Sequence, residues 1–222
     1  MAGLALLAAL AASAAHPRVM PLDLPLASAG PDSFVATFET TKGNVVMRAR
    51  RASSPLGVDR LYHLVHGGYF DGLVIYRVGT TKTVVGGRVV QFGTSGDTTV
   101  SHAWEKATID DEPVIGTHVA GSVSFARGAP RTRSVEIAIN TNDAAPLDTV
   151  RYEGIVGFPI VARVVTGLDV LGRLNGRYGN APIENDSLSI LGGAYLDRAF
   201  PGLDRIKRAR ITKSWPKHAG GR

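Results

Sequence analysis

Apolar residues alternate with polar ones from the first ordered-looking stretch of this chain. Phe34, Ala36 and Phe38 alternate with Val35, Thr37 and Glu39, a period of two that predicts a strand. Lys42-Gly43-Asn44 is a turn signal, after which Val45, Met47 and Ala49 face opposite to Val46, Arg48 and Arg50. Together they predict a β-hairpin. The period then changes. Val58, Leu61, Tyr62 and Val65 fall at helical spacing behind Ser54-Pro55, read as an N-cap with proline at the first helical position, and Gly67-Gly68 ends the run. Further strands are expected over 73–78, 89–92, 122–126, 135–139, 161–165 and 206–211, with a short helix over 168–174. Residues 187–191 form a short stretch holding two leucines and an isoleucine. Many short strands, few helices and frequent turns predict a mainly β fold, a closed antiparallel barrel. No internal repeat interrupts this single-domain pattern.

Composition narrows the picture. The 222 residues are 44% hydrophobic, enough for one sizeable core, and contain no cysteine, which excludes a disulfide framework and thiolate metal sites. Leu4 to Ala15 is an unbroken small-apolar run with a small-x-small cleavage pattern at Ala12-Ser13-Ala14. It is too short to span a bilayer comfortably and reads as a signal peptide, residues 1–15, although no Lys or Arg precedes it. A disordered Ala-rich tail is the alternative. Residues 16–32, rich in Pro, Ala and Leu, read as a linker to a domain over 33–211. The net charge of +6 is concentrated in residues 205–222, where seven Lys/Arg meet no acid, and residues 212–222 read as a basic tail. No aromatic RNA-binding motif accompanies that tail, so no nucleic-acid partner is expected, and a monomer is.

The chemistry-bearing segment lies between Gly68 and Asp97. It opens Gly68-Tyr-Phe-Asp-Gly-Leu-Val-Ile-Tyr-Arg-Val78 and closes Arg88-Val-Val-Gln-Phe-Gly-Thr-Ser-Gly-Asp97. Ile109-Asp-Asp-Glu-Pro113, Gly121-Ser-Val-Ser-Phe-Ala-Arg-Gly128, Thr132-Arg133 to Asn140, Leu147-Asp148 and Arg163 to Leu171 follow. In combination these motifs resemble cyclophilin-type peptidyl-prolyl cis-trans isomerases, of the bacterial exported type, over roughly 33–211. Tyr178-Gly179, Tyr195-Leu-Asp197 and Phe200 to Asp204 look like the carboxyl-terminal extension of some bacterial members.

The resemblance implies a cyclophilin-like barrel capped by two helices, isomerase activity without a cofactor, and proline-containing polypeptide segments as partners. It implies Arg77 as the catalytic residue and Gln91 as a ligand of the peptide backbone, with Ala126, Arg127 and Leu147 in the substrate groove. An arginine suits the chemistry. Twisting an X–Pro amide means passing a barrier of about 20 kcal/mol, and a fixed guanidinium can bond the nitrogen lone pair regained in the twisted state or hold the carbonyl. Periplasmic or secreted localisation, with no membrane span after signal removal, follows from the leader.

Several positions depart from the family. Arg88 and Val89 stand where it places the Phe and Met under the substrate proline ring. Glu136 replaces a second Gln, Ala138 a second Phe, and Val161 another Phe. The connection Gly79 to Gly87 is longer than the family's and reads as an extended loop or hairpin. Arg88 and Glu136 are expected to pair with each other, or Glu136 with Arg77. The loss of aromatic walls leaves two readings open: an isomerase, or a cyclophilin-fold peptide-binding or chaperone-like module with impaired catalysis. His63 and His66, and Asp110-Asp111-Glu112, are metal-like spacings better read as ordinary histidines and a solvated acidic loop. No metal site is expected.

Overall fold

The computed structural model describes residues 18–81, 84–152 and 154–216. The leader candidate, residues 1–15, and the end of the basic tail lie outside them. Strands β1 (Ser33–Thr40) and β2 (Gly43–Arg50) form the expected hairpin, with Thr40 opposite Gly43 and Gly43 at φ 131°, a conformation that favours glycine. Phe34, Ala36, Phe38, Val45, Met47 and Ala49 are all buried on one face. Helix α1 (Pro55–His66) packs Val58, Leu61, Leu64 and Val65 into the same core.

The chain then lays down β3 (Arg77–Thr80), β4 (Arg88–Phe92), α2 (Thr98–Lys106), β5 (Ser122–Phe125) and β6 (Ile137–Asn140). A small β7 (Arg151–Tyr152) and β8 (Ile155–Val156) hairpin precedes β9 (Ile160–Thr166). Helices α3 (Leu168–Gly172), α4 (Ser187–Leu191) and α5 (Gly193–Ala199) lead to β10 (Ile206–Trp215). The main sheet has eight antiparallel strands in the order β10-β1-β2-β9-β5-β6-β4-β3. Its ends meet before β3: Ile75 donates to the Asp204 carbonyl, Gly72 to that of Ile206, and Ile206 to that of Leu73. The sheet thereby curls into a barrel around Phe38, Phe70, Phe92, Phe125 and Ile137. Alongside α1 and the short α3, the described residues hold α2, α4 and α5, more helix than expected.

Packing and strand pairing continue on both sides of 33–211. Val19, Met20, Leu24 and Leu26 of the supposed linker pack against the core, and Trp104 Nε1 donates to the Val19 carbonyl at 2.8 Å. At the other end β10 runs past Ile211 until Trp215 pairs with Ser33. Trp215 lies between Arg48 and Lys213, whose cationic groups stand 5.1 and 4.7 Å from its ring centroid. Pairing with β1 makes the first part of the basic tail strand, and the cation–aromatic contacts accompany it.

The start of α1 also differs in chemistry. Ser54 makes no cap bond to the helix. Its hydroxyl donates instead to the Glu112 carboxylate. That carboxylate caps the helix from a distant loop, accepting from the Leu56 and Gly57 amides at 2.7 and 3.1 Å. Its neighbours are not free either. Asp111 pairs with Arg127, Asp110 with Arg131, and Glu112 with the fully buried Arg133.

Candidate active site

The barrel interior is filled, so the site is built on its outer face. Strand alternation sends Val90 and Phe92 of β4, Val123 and Phe125 of β5, and Ile137 and Ile139 of β6 into the core. Their neighbours Val89, Gln91, Ser124, Glu136, Ala138 and Asn140 line a groove of about 720 Å³. Arg77, Ala126, Arg127 and Leu147 line it too. Eight of the nine residues singled out in the sequence therefore meet in one groove.

Arg88 is the exception. It is exposed and lies on the Val90 side of β4, at the strand's first residue, where the core face reaches solvent. The period of two that brings Val89 and Gln91 to the groove removes Arg88 from it, and no pairing with Glu136 forms.

Arg77 is half-buried, and its guanidinium is held on three sides. Nε donates to Asn180 Oδ1 at 2.9 Å, Nη1 to Gln91 Oε1 at 2.9 Å, and Nη2 to the Thr80 carbonyl at 2.6 Å. Glu136 does not clamp Arg77 directly. Gln91 Nε2 donates to Glu136 Oε2 at 3.0 Å, while Thr94 donates to Glu136 Oε1 at 2.7 Å. The relay has one possible direction. Arginine only donates and a carboxylate only accepts, so the amide between them must turn its oxygen to Arg77 and its nitrogen to Glu136. Burial pushes the Arg77 pKa down, and the Glu136 charge opposes it. The guanidinium still carries its charge at neutral pH. Tyr76 is fully buried beneath this network, its hydroxyl 3.4 Å from Thr94 Oγ1. Burial first, and the Glu136 charge second, push its pKa well up, so it stays a neutral phenol.

Arg127 is a bracket rather than a free cation. Nη1 donates to Asp111 Oδ1 at 3.0 Å, Nη2 to the Gly157 carbonyl, and its guanidinium lies 4.9 Å from the Phe158 ring centroid. Phe158, missed in the sequence, supplies an aromatic surface to the groove. The long connection adds Thr81 to the lining and packs Val84 behind it. Val84 is buried against Ala144 and Leu147, beside Phe158. The apolar lining is thus partly rebuilt from residues outside the motifs.

Ala138 leaves the floor deep. It sits opposite Ser124 in the β5–β6 register, and Ser124 and His118 line the groove beside it. His118 Nε2 is 3.1 Å from Ser124 Oγ, and its Nδ1 is 2.5 Å from Asp148 Oδ1. Burial lowers the His118 pKa against the opposing pull of Asp148. The carboxylate assigns the proton of the neutral ring to Nδ1. Ile183 and Ser189, from the segment between α3 and α5, also line the groove. No pattern in the sequence marked Asn180, Phe158 or His118, because their contacts span 103, 31 and 30 residues.

Residues 35–190 match the model of the cyclophilin type peptidyl-prolyl cis-trans isomerase/CLD family. The chain belongs to that family. Its enzyme class is peptidyl-prolyl isomerase. Solved cyclophilins share the fold. The crystal structure of a Cryptosporidium parvum cyclophilin type peptidyl-prolyl cis-trans isomerase matches with a TM-score of 0.54 at 14% identity, over 82% of this chain and 99% of that one. The same parasite enzyme crystallised in the presence of the dipeptide Ala-Pro matches at 0.52 and 16% identity, over 81% and 99%. No curated protein matched in sequence. At such identities the likeness to this cyclophilin fold carries topology only.

Proposed function

We propose that this cyclophilin is an exported isomerase that turns over X–Pro bonds in proline-containing segments and assists the folding of exported proteins. The observation that carries the reading is Arg77. Its guanidinium stands at the groove, fixed through Gln91, Asn180 and the Thr80 carbonyl. Three of its five N–H groups are committed to these acceptors. The others are available to a substrate carbonyl or to the proline nitrogen as its lone pair develops. Holding a charge where it is needed only in the twisted state is how a rigid site accelerates such a reaction.

Gln91 is assigned a share in the peptide backbone contact. Val89, Ala126, Leu147, Ala138 and Phe158 are assigned to the proline ring. Export is supported by the Leu4 to Ala15 run, and a periplasmic or secreted destination follows. The test is a coupled proteolysis assay on a Xaa-Pro peptide. Wild type should accelerate the slow phase, and Arg77→Ala should abolish the acceleration while remaining folded. The second reading, a peptide-binding module with impaired catalysis, is favoured by one observation, Ala138 in place of an aromatic wall. Peptide binding without any acceleration by wild type would establish it. Mass spectrometry of the protein from its native host should find a mature start near Ala15.

A further inference from the structure

We propose that Asn180 is a positioning residue for Arg77, and that the segment following α3 is thereby a working part of the isomerase site. This rests on the isomerase reading above. Asn180 Oδ1 accepts from Arg77 Nε at 2.9 Å. The Nε–H direction fixes rotation of the guanidinium about its last bond, and Gln91 and the Thr80 carbonyl then fix its tilt. Of these contacts, Asn180 alone comes from outside the β3–β4 hairpin.

A second observation points the same way. A Cβ added at Gly79 would stand 2.5 Å from Asn180 Oδ1 and 3.3 Å from its Cγ. Position 79 is in strand β3 with no unusual φ demanding glycine. Its missing side chain is therefore explained by the approach of Asn180, which needs that space to reach Nε. The same segment runs on into α4 and supplies Ile183 and Ser189 to the groove wall, so the segment that brings the clamp brings a surface with it.

The experiment uses the full chain and four variants: Asn180→Ala, Asn180→Asp, Gly79→Ala and the Gly79→Ala/Asn180→Ala double. Two readouts are taken. The first is water exchange of the Arg77 Nε–H by NMR, assigned by its loss in Arg77→Lys. The second is kcat and KM on a Xaa-Pro peptide. Asn180→Ala should speed exchange and lower kcat about tenfold with KM little changed, the loss of one hydrogen bond to a charged donor. Asn180→Asp keeps the acceptor and should retain both signals.

Gly79→Ala should resemble Asn180→Ala, because it pushes the same oxygen away. The double variant should be no worse than either single, since its added Cβ then meets mainly the Gly179 carbonyl carbon at 3.0 Å. An unchanged Arg77 signal in Asn180→Ala would overturn the proposal. So would additive losses in the double variant, or an Asp variant no better than Ala. A wild type without turnover would overturn the isomerase reading instead, and the exchange signal alone would then decide whether Asn180 holds Arg77.

Discussion

Ala138→Phe asks whether the deep floor limits substrate binding. Ala138 lies between Gln91 and Ser124 across the sheet, facing a groove of about 720 Å³ that has room for a phenyl group. Burying a proline ring against apolar walls contributes about 2 kcal/mol by area. Val89, Leu147 and Phe158 supply part of that wall, so a new ring at position 138 should add about 1 kcal/mol. That corresponds to a KM lower by about fivefold. Catalysis should not change, because Arg77 keeps its three acceptors and the gain is equal in ground and transition states. The ring would also cover His118 and Ser124. They bond one another at 3.1 Å, and His118 bonds Asp148 at 2.5 Å, so covering them leaves no polar atom stranded. The assay is coupled proteolysis over a range of Xaa-Pro peptide concentrations, with a thermal melt to check folding. A folded variant with unchanged KM would refute the placement of the proline ring over Ala138.

Arg88→Ala should leave both KM and kcat within twofold of wild type, since its side chain lies on the other side of β4 from the groove; a severalfold rise in KM would return it to the site. Glu112→Ala should cost about 3–5 kcal/mol, because one carboxylate holds Arg133, Ser54 and two helix amides, whereas Ser54→Ala should cost about 1–2 kcal/mol, the loss of its single hydrogen bond to that carboxylate. Urea denaturation measures both, and equal midpoints would refute long-range capping. His118 has its pKa lowered in the fold, so the unfolded chain binds the extra proton first as pH falls below the ordinary histidine value. Stability should therefore drop between pH 7 and pH 5, and that share of the drop should vanish in His118→Gln.

The hairpin of β1 and β2, the apolar face of α1 and the strand identities of β4, β5 and β9 were legible in the chain, because their periods are set by residues a few positions apart. So was the family, and with it Arg77, Gln91, Ala126 and Leu147 as a group, since the motifs carrying them are contiguous. Strand parity alone would have separated Arg88 from Val89 and Gln91; the family's Phe, which shares that place in the motif, argued for the opposite. Local spacing could not show that Glu112 rather than Ser54 caps α1, nor that Trp215 ends a strand stacked between two cations. Neither could it show that Asn180 returns across 103 residues to hold Arg77. The direction of the Gln91 amide needed the donor on one side and the acceptor on the other. A hydrophobic period is a property of neighbours in sequence, whereas a cap, a clamp or a relay is a property of atoms within about 3 Å in space, and only the closing of the barrel brings those atoms together.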